Sequence, residues 1–170
     1  MTLLLVALMI MTVAWSIDDA RWVLGQQALT GFLPWTVVLG VLWGFVSAKV
    51  GWQRWRAHLL GAVFAALLVP MLVGSVLLPD GSPGAWFVAT ADSVVQAYLD
   101  LAVRGRSLTD QYGHFLLVLG LFTWATAQFA SYAVFGHRRP LPAVAMTGFV
   151  LLTNMSITSN YQLEFLITLK

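Results

Sequence analysis

Long apolar runs separated by short polar breaks set the rhythm of this chain from end to end. An α-helix rising 1.5 Å per residue needs roughly 20 apolar residues to cross a hydrocarbon core about 30 Å thick. The first run covers about residues 2–17 and stops at Asp18 and Asp19. It has no basic flank and no small-residue cleavage site, so a transmembrane helix is expected here rather than a signal peptide. The second run, 29–50, stops at the aromatic and basic stretch of residues 51–56. A third, 58–78, ends in the turn-forming cluster Pro79-Asp80-Gly81-Ser82-Pro83-Gly84. A fourth, 115–135, is closed by Gly136-His137-Arg138-Arg139-Pro140, and a fifth, 141–157, runs into Thr158-Ser159-Asn160. The last run, 161–170, is about half the length of a span, and the chain is expected to continue beyond it. The pattern therefore predicts an all-α, polytopic transmembrane bundle of five full helices plus a truncated sixth. Residues 1–170 form one membrane-embedded domain, expected to be a fragment of a longer chain.

The stretch between the third and fourth runs carries its own periodicity. Over residues 91–103, Val94, Val95, Tyr98, Leu99 and Ala102 recur at helical spacing, with Asp92, Gln96 and Asp100 on another side. Length and charge forbid a span, so an amphipathic helix is expected, lying on the outer membrane surface or packed over the mouth of the bundle.

Charge then orients the helices. Lys49, Arg54 and Arg56 fall between the second and third runs, and Arg138 and Arg139 between the fourth and fifth. Asp18, Asp19 and Arg21 share the first loop; Asp80, Asp92, Asp100 and Asp110 share the long loop with Arg104 and Arg106. Because bases are retained on the cytoplasmic side, this alternation predicts a cytoplasmic N-terminus. Trp22, Trp52, Trp55 and Trp86 fall near the expected interfaces, where indoles collect.

Composition fits that reading. Hydrophobic residues make up 59% and charged residues 9% of the chain, against roughly 25% charged in soluble domains, so the apolar surface calls for lipid. The mean hydropathy is +0.82. No basic stripe supports nucleic-acid binding, although the pI is near 9.3. The absence of cysteine removes disulfides, thiolate metal sites and a cysteine nucleophile from these residues.

Few residues suggest chemistry. Gly40 and Gly44 form a GxxxG that Ala48 extends, a strip that lets two helix backbones approach, within the bundle or between subunits. Gln128 and Asn154 are expected to act as interhelical hydrogen-bonding groups. His58 and His114 stand at predicted water boundaries, where interfacial or capping roles are ordinary, and Glu164 is the one acid expected to enter a helix. His58, His114 and His137 fall on the inner, outer and inner sides, which does not make a metal site. Ser93 or Ser107 with His114 and Asp110 lacks the nucleophile-elbow and oxyanion patterns of a hydrolase, and no phosphate-binding or dinucleotide loop is present. No catalytic, metal or cofactor-binding residue is assigned.

Three segments carry a family resemblance: Ala14-Trp-Ser-Ile-Asp-Asp-Ala-Arg-Trp-Val23, the tryptophan-bearing run 115–139, and residues 140–154 ending in Leu-Leu-Thr-Asn. With them the chain resembles the N-terminal membrane region of bacterial transglutaminase-like proteins of the TgpA type. The resemblance implies a non-catalytic anchor for an extracytoplasmic domain with a Cys-His-Asp triad, followed by a further helix and a cytoplasmic tail. None of that triad lies in these residues. The implied partners are the lipid bilayer and the downstream domain of the same chain. The alternatives are a small polytopic transporter, suggested by Pro70 and Gly74 inside the third run, or an assembly scaffold docking a partner through the helix at 91–103.

Overall fold

A computed structural model describes residues 2–20, 27–106 and 112–157. The sixth run expected at 161–170, with Glu164, lies outside the described residues, as do Ser107 and Asp110. Six α-helices follow one another: α1 (Thr2–Asp19), α2 (Leu33–Lys49), α3 (Arg54–Leu77), α4 (Pro83–Tyr98), α5 (Gly113–His137) and α6 (Pro140–Ile157). A 3₁₀ turn at Gln27–Thr30 precedes α2, and a π turn at Leu99–Val103 extends α4. No strand occurs among the described residues. Three helices, α1, α3 and α5, are long and apolar enough to cross a membrane; α2 and α6 are shorter apolar helices.

The helix ends depart from the sequence expectation for identifiable reasons. The second run opens not at Leu29 but at Leu33, with Pro34 in the first turn. A proline ring fixes φ and clashes with the carbonyl four residues back, so it fits a first turn and blocks a longer helix on its N-terminal side. Arg54, Trp55 and Arg56, read as loop, form the first turn of α3 after an extended Gln53. That moves His58 one turn inside the helix. Asp18 and Asp19 lie within α1, in its last turn. A carboxylate is poorly placed at a helix C-terminus; here the Thr30 hydroxyl donates to Asp18.

α5 ends on an unusual residue. Arg138 adopts a left-handed conformation (φ 53°, ψ 34°), the Arg139 N–H bonds back to the Ala133 carbonyl, and Pro140 opens the next helix. This position favours glycine, since a side chain there costs about 1 kcal/mol. Arg138→Gly is therefore expected to stabilise the fold by about that amount, readable as a raised unfolding midpoint in detergent.

The helices pack with their small and polar side chains inward. α2 and α5 run parallel along their length, Gly40 facing Trp124 and Ala127, Gly44 facing Gln128 and Ser131, and Ala48 facing Gly136. α3 runs antiparallel to α5, with Gly61 against Gln128 and Val69 against Gly120. Thr36, Thr90, Thr123, Thr126, Gln128 and Ser131 are buried, whereas Leu4, Leu8, Trp35, Val63, Leu67, Val118, Phe149 and Leu152 are exposed. Water-soluble domains distribute these residue types the other way.

α4 follows the same rule, and with the π turn it covers the stretch expected to be helical, residues 91–103. It begins at Pro83, where Ser82 caps the helix by accepting from the Ala85 N–H. The side turned to the bundle is Thr90, Ser93 and Ala97, continued by Asp100. Val95 (53% exposed), Tyr98 (65%) and Val103 (67%) point outward. When the surroundings are lipid, apolar side chains gain nothing by turning inward, and small polar ones find their partners on neighbouring helices. The helix lies across α3, its Thr90 hydroxyl donating to the Pro70 carbonyl (2.8 Å), and reaches the start of α5, where Ser93 accepts from the Gly113 N–H (3.1 Å).

Candidate functional site

A polar cluster lies where α2, α3 and α5 meet, near the ends that carry Lys49, Arg54 and His137. Its centre is Gln128. The Gln128 Oε1 accepts from the Trp124 indole (3.0 Å), while Nε2 donates to the Ala57 carbonyl (2.9 Å) and meets His58 Nδ1 at 3.3 Å. An amide nitrogen only donates, so His58 Nδ1 accepts and the neutral ring carries its proton on Nε2. The Ala57 carbonyl also receives the Trp43 indole of α2 (3.1 Å). Gly61 makes room for this arrangement, since a Cβ there would stand 2.2 Å from Gln128 Nε2.

A second polar layer lies toward the helix ends. The Tyr132 hydroxyl donates to the Trp52 carbonyl (2.7 Å), and its ring packs edge-on against His58 (5.5 Å) and His137 (5.4 Å). The Ser131 hydroxyl donates to the Val41 carbonyl of α2 (2.8 Å). Two cavities open beside this cluster and share His58. One, of about 190 Å³, is lined by Arg54, His58, Tyr132, His137 and Arg139 among others; the second, about 310 Å³, lies against Trp124 and Gln128.

The other sequence-selected residues separate into different roles. Gly40, Gly44 and Ala48 sit within the α2–α5 seam, where a Cβ on Gly44 would stand 2.6 Å from the Gln128 carbonyl oxygen. Asn154 is remote from Gln128: its Nδ2 donates to the Ser16 carbonyl (3.0 Å) and Oγ (2.8 Å), tying α6 to α1. His114 lies in the first turn of α5, its Nδ1 buried without a hydrogen-bond partner, and the nearby Ser93 hydroxyl is engaged by Gly113. Asp100 is buried and paired with Arg104 (2.7 Å) and Arg106 (3.4 Å). Among the described residues no group of three His, Cys, Asp or Glu side chains could hold a metal ion.

Sequence reading missed the convergence of His58 with His137 and Tyr132. The signal was present, because both histidines had been assigned to the inner side. What was missing was the inclusion of Arg54 in α3, which turns His58 inward toward α5.

No family model, curated protein or solved structure matches this chain. The fold and cluster define a helical bundle with an apolar exterior and a hydrogen-bonded interior, three of whose helices suffice to span a membrane.

Proposed function

We propose that these residues form a non-catalytic anchoring domain embedded in a bacterial plasma membrane, carrying an extracytoplasmic transglutaminase-like domain of the same chain. In this reading α1, α2, α3, α5 and α6 are the five full spans, α4 covers the outer half of α3, and the N-terminus is cytoplasmic. One observation carries it: buried polar side chains are turned to other helices, with exposed apolar side chains around them. Such an interior holds a bundle together. The Lys49, Arg54, Arg56, Arg138 and Arg139 positions at one end agree with cytoplasmic retention. The alternative of a transporter with a discontinuous helix has less support, because α3 passes through Pro70 without a break.

Two measurements test the proposal. Reporter fusions in the turns at Gly51 and at Arg139 are expected to be cytoplasmic, and one at Gly81 external. The reverse pattern overturns the orientation. Reading the encoding gene past Lys170 is expected to reveal an external domain with cysteine, histidine and aspartate in a triad; its absence sinks the enzyme-anchor reading.

A further inference from the structure

The 190 Å³ cavity at the basic end is the feature that the anchoring role does not use. It lies between the first turns of α3 and the junction of α5 with α6. Arg54 and Arg139 line it from two different turns, and neither is paired with a carboxylate among the described residues. Two other bases at this end stand over aromatic rings, Lys49 over Phe45 and Arg56 over Trp55. His58 and His137 add nitrogen donors, and His58 is held by Gln128 with its proton on Nε2. Among the described residues no carboxylate lines the cavity, while Phe129, Tyr132 and Pro142 supply low-polarity walls. Like charges gathered in a cleft with such walls focus a positive potential and call for an anion.

The size restricts the ligand. The volume falls below the roughly 300–1,000 Å³ of pockets for drug-sized molecules, so a compact anionic group fits better than an extended substrate. Depth restricts it further. From His137 at the end of α5 to Phe129 the cavity follows about two helical turns, or roughly 12 Å at 1.5 Å per residue, from the helix end into the apolar zone.

We propose that this cleft binds a phosphate group, with Arg54 and Arg139 as the charged clamp and the His58 Nε2–H as an oriented donor. Guanidinium forks match phosphate oxygens geometrically, and each charge-assisted bond is stronger than a neutral one. The phosphate belongs either to an anionic lipid headgroup or to a free anion. The site does not rest on the transglutaminase-like reading, and its free-anion arm does not require a bilayer.

The test uses the whole 170-residue chain. Its thermal unfolding is followed in neutral detergent with and without inorganic phosphate, with sulfate and chloride as comparison salts at matched ionic strength. It is also followed in nanodiscs of phosphatidylcholine, with and without phosphatidylglycerol. Stabilisation by inorganic phosphate above the comparison salts assigns the site to a free anion. Stabilisation by phosphatidylglycerol alone assigns it to a headgroup. Arg54→Gln with Arg139→Gln is expected to weaken binding roughly tenfold or more, whereas Arg56→Gln leaves it unchanged. Arg139→Gln alone, in an exposed turn, serves if the double variant does not fold. No stabilisation by either probe, or full retention of binding in the folded Arg139→Gln and double variants, overturns the proposal.

Discussion

Gly74→Ala is expected to destabilise the bundle by about 3 kcal/mol, and Gly74→Val by more, because overpacking of a close contact normally costs 1–3 kcal/mol and here the obstruction is main chain. A Cβ at Gly74 would stand 1.9 Å from the Trp86 carbonyl oxygen and 2.3 Å from its carbon. No rotamer change relieves a clash with backbone, so α4 must leave α3. The Thr90 bond to Pro70 and the Ser93 contact at Gly113 then go with it. Reversible unfolding in mixed micelles measures the loss, and tryptic cleavage after the exposed Arg104 and Arg106 should accelerate in parallel. Gly84→Ala in α4 is the control. Nothing lies within 4 Å of a Cβ there, and alanine favours helix by about 0.5–1 kcal/mol. Equal effects at the two glycines would remove the close α3–α4 crossing from the account.

Gln128→Leu should cost about 2 kcal/mol by the same assay, for a different reason. The substitution removes partners from the Trp124 indole, the Ala57 carbonyl and His58 at once. Leaving a buried donor unmade costs about 1–3 kcal/mol, whereas replacing both partners by apolar groups is nearly neutral. Adding Trp124→Phe to Gln128→Leu is therefore expected to recover part of the loss, and the double variant should fall short of the sum of the singles. Strict additivity would mean that the indole–amide bond contributes nothing. Ala57 should tolerate the change best, since its carbonyl keeps the Trp43 indole.

Much of this architecture was legible in the chain, and the exceptions have physical causes. Runs of apolar residues located α1, α2, α3, α5 and α6, because each run is long enough to form a helix and is bounded by polar or turn-forming residues. Ends were less legible where one residue serves two purposes. Pro34 sits inside an apolar run yet starts a helix, and Arg54 sits in a basic break yet belongs to one. The cap Ser82 with Pro83 in the first turn was a readable start signal, hidden within a cluster taken as a turn. Gln128 and Asn154 could be selected as polar residues in apolar surroundings, but each also bonds a main-chain carbonyl, of Ala57 and of Ser16, that no side-chain pattern marks. The cluster of His58, Tyr132 and His137 depends on helix rotation, which apolar periodicity leaves weakly specified when the exterior is as apolar as the core.

The parallel seam between α2 and α5 also constrains the order in which the molecule can be made. Its Val41–Ser131 bond joins residues 90 positions apart, and ribosomes add roughly 5–20 residues per second. The glycine face of α2 thus emerges on the order of 5–20 s before the helix that covers it. During that interval the α3–α4 hairpin, whose Thr90 and Pro70 lie 20 residues apart, can already close. Biogenesis then has a built-in waiting period, in which a narrow backbone groove on α2 is open to any other small-faced helix nearby.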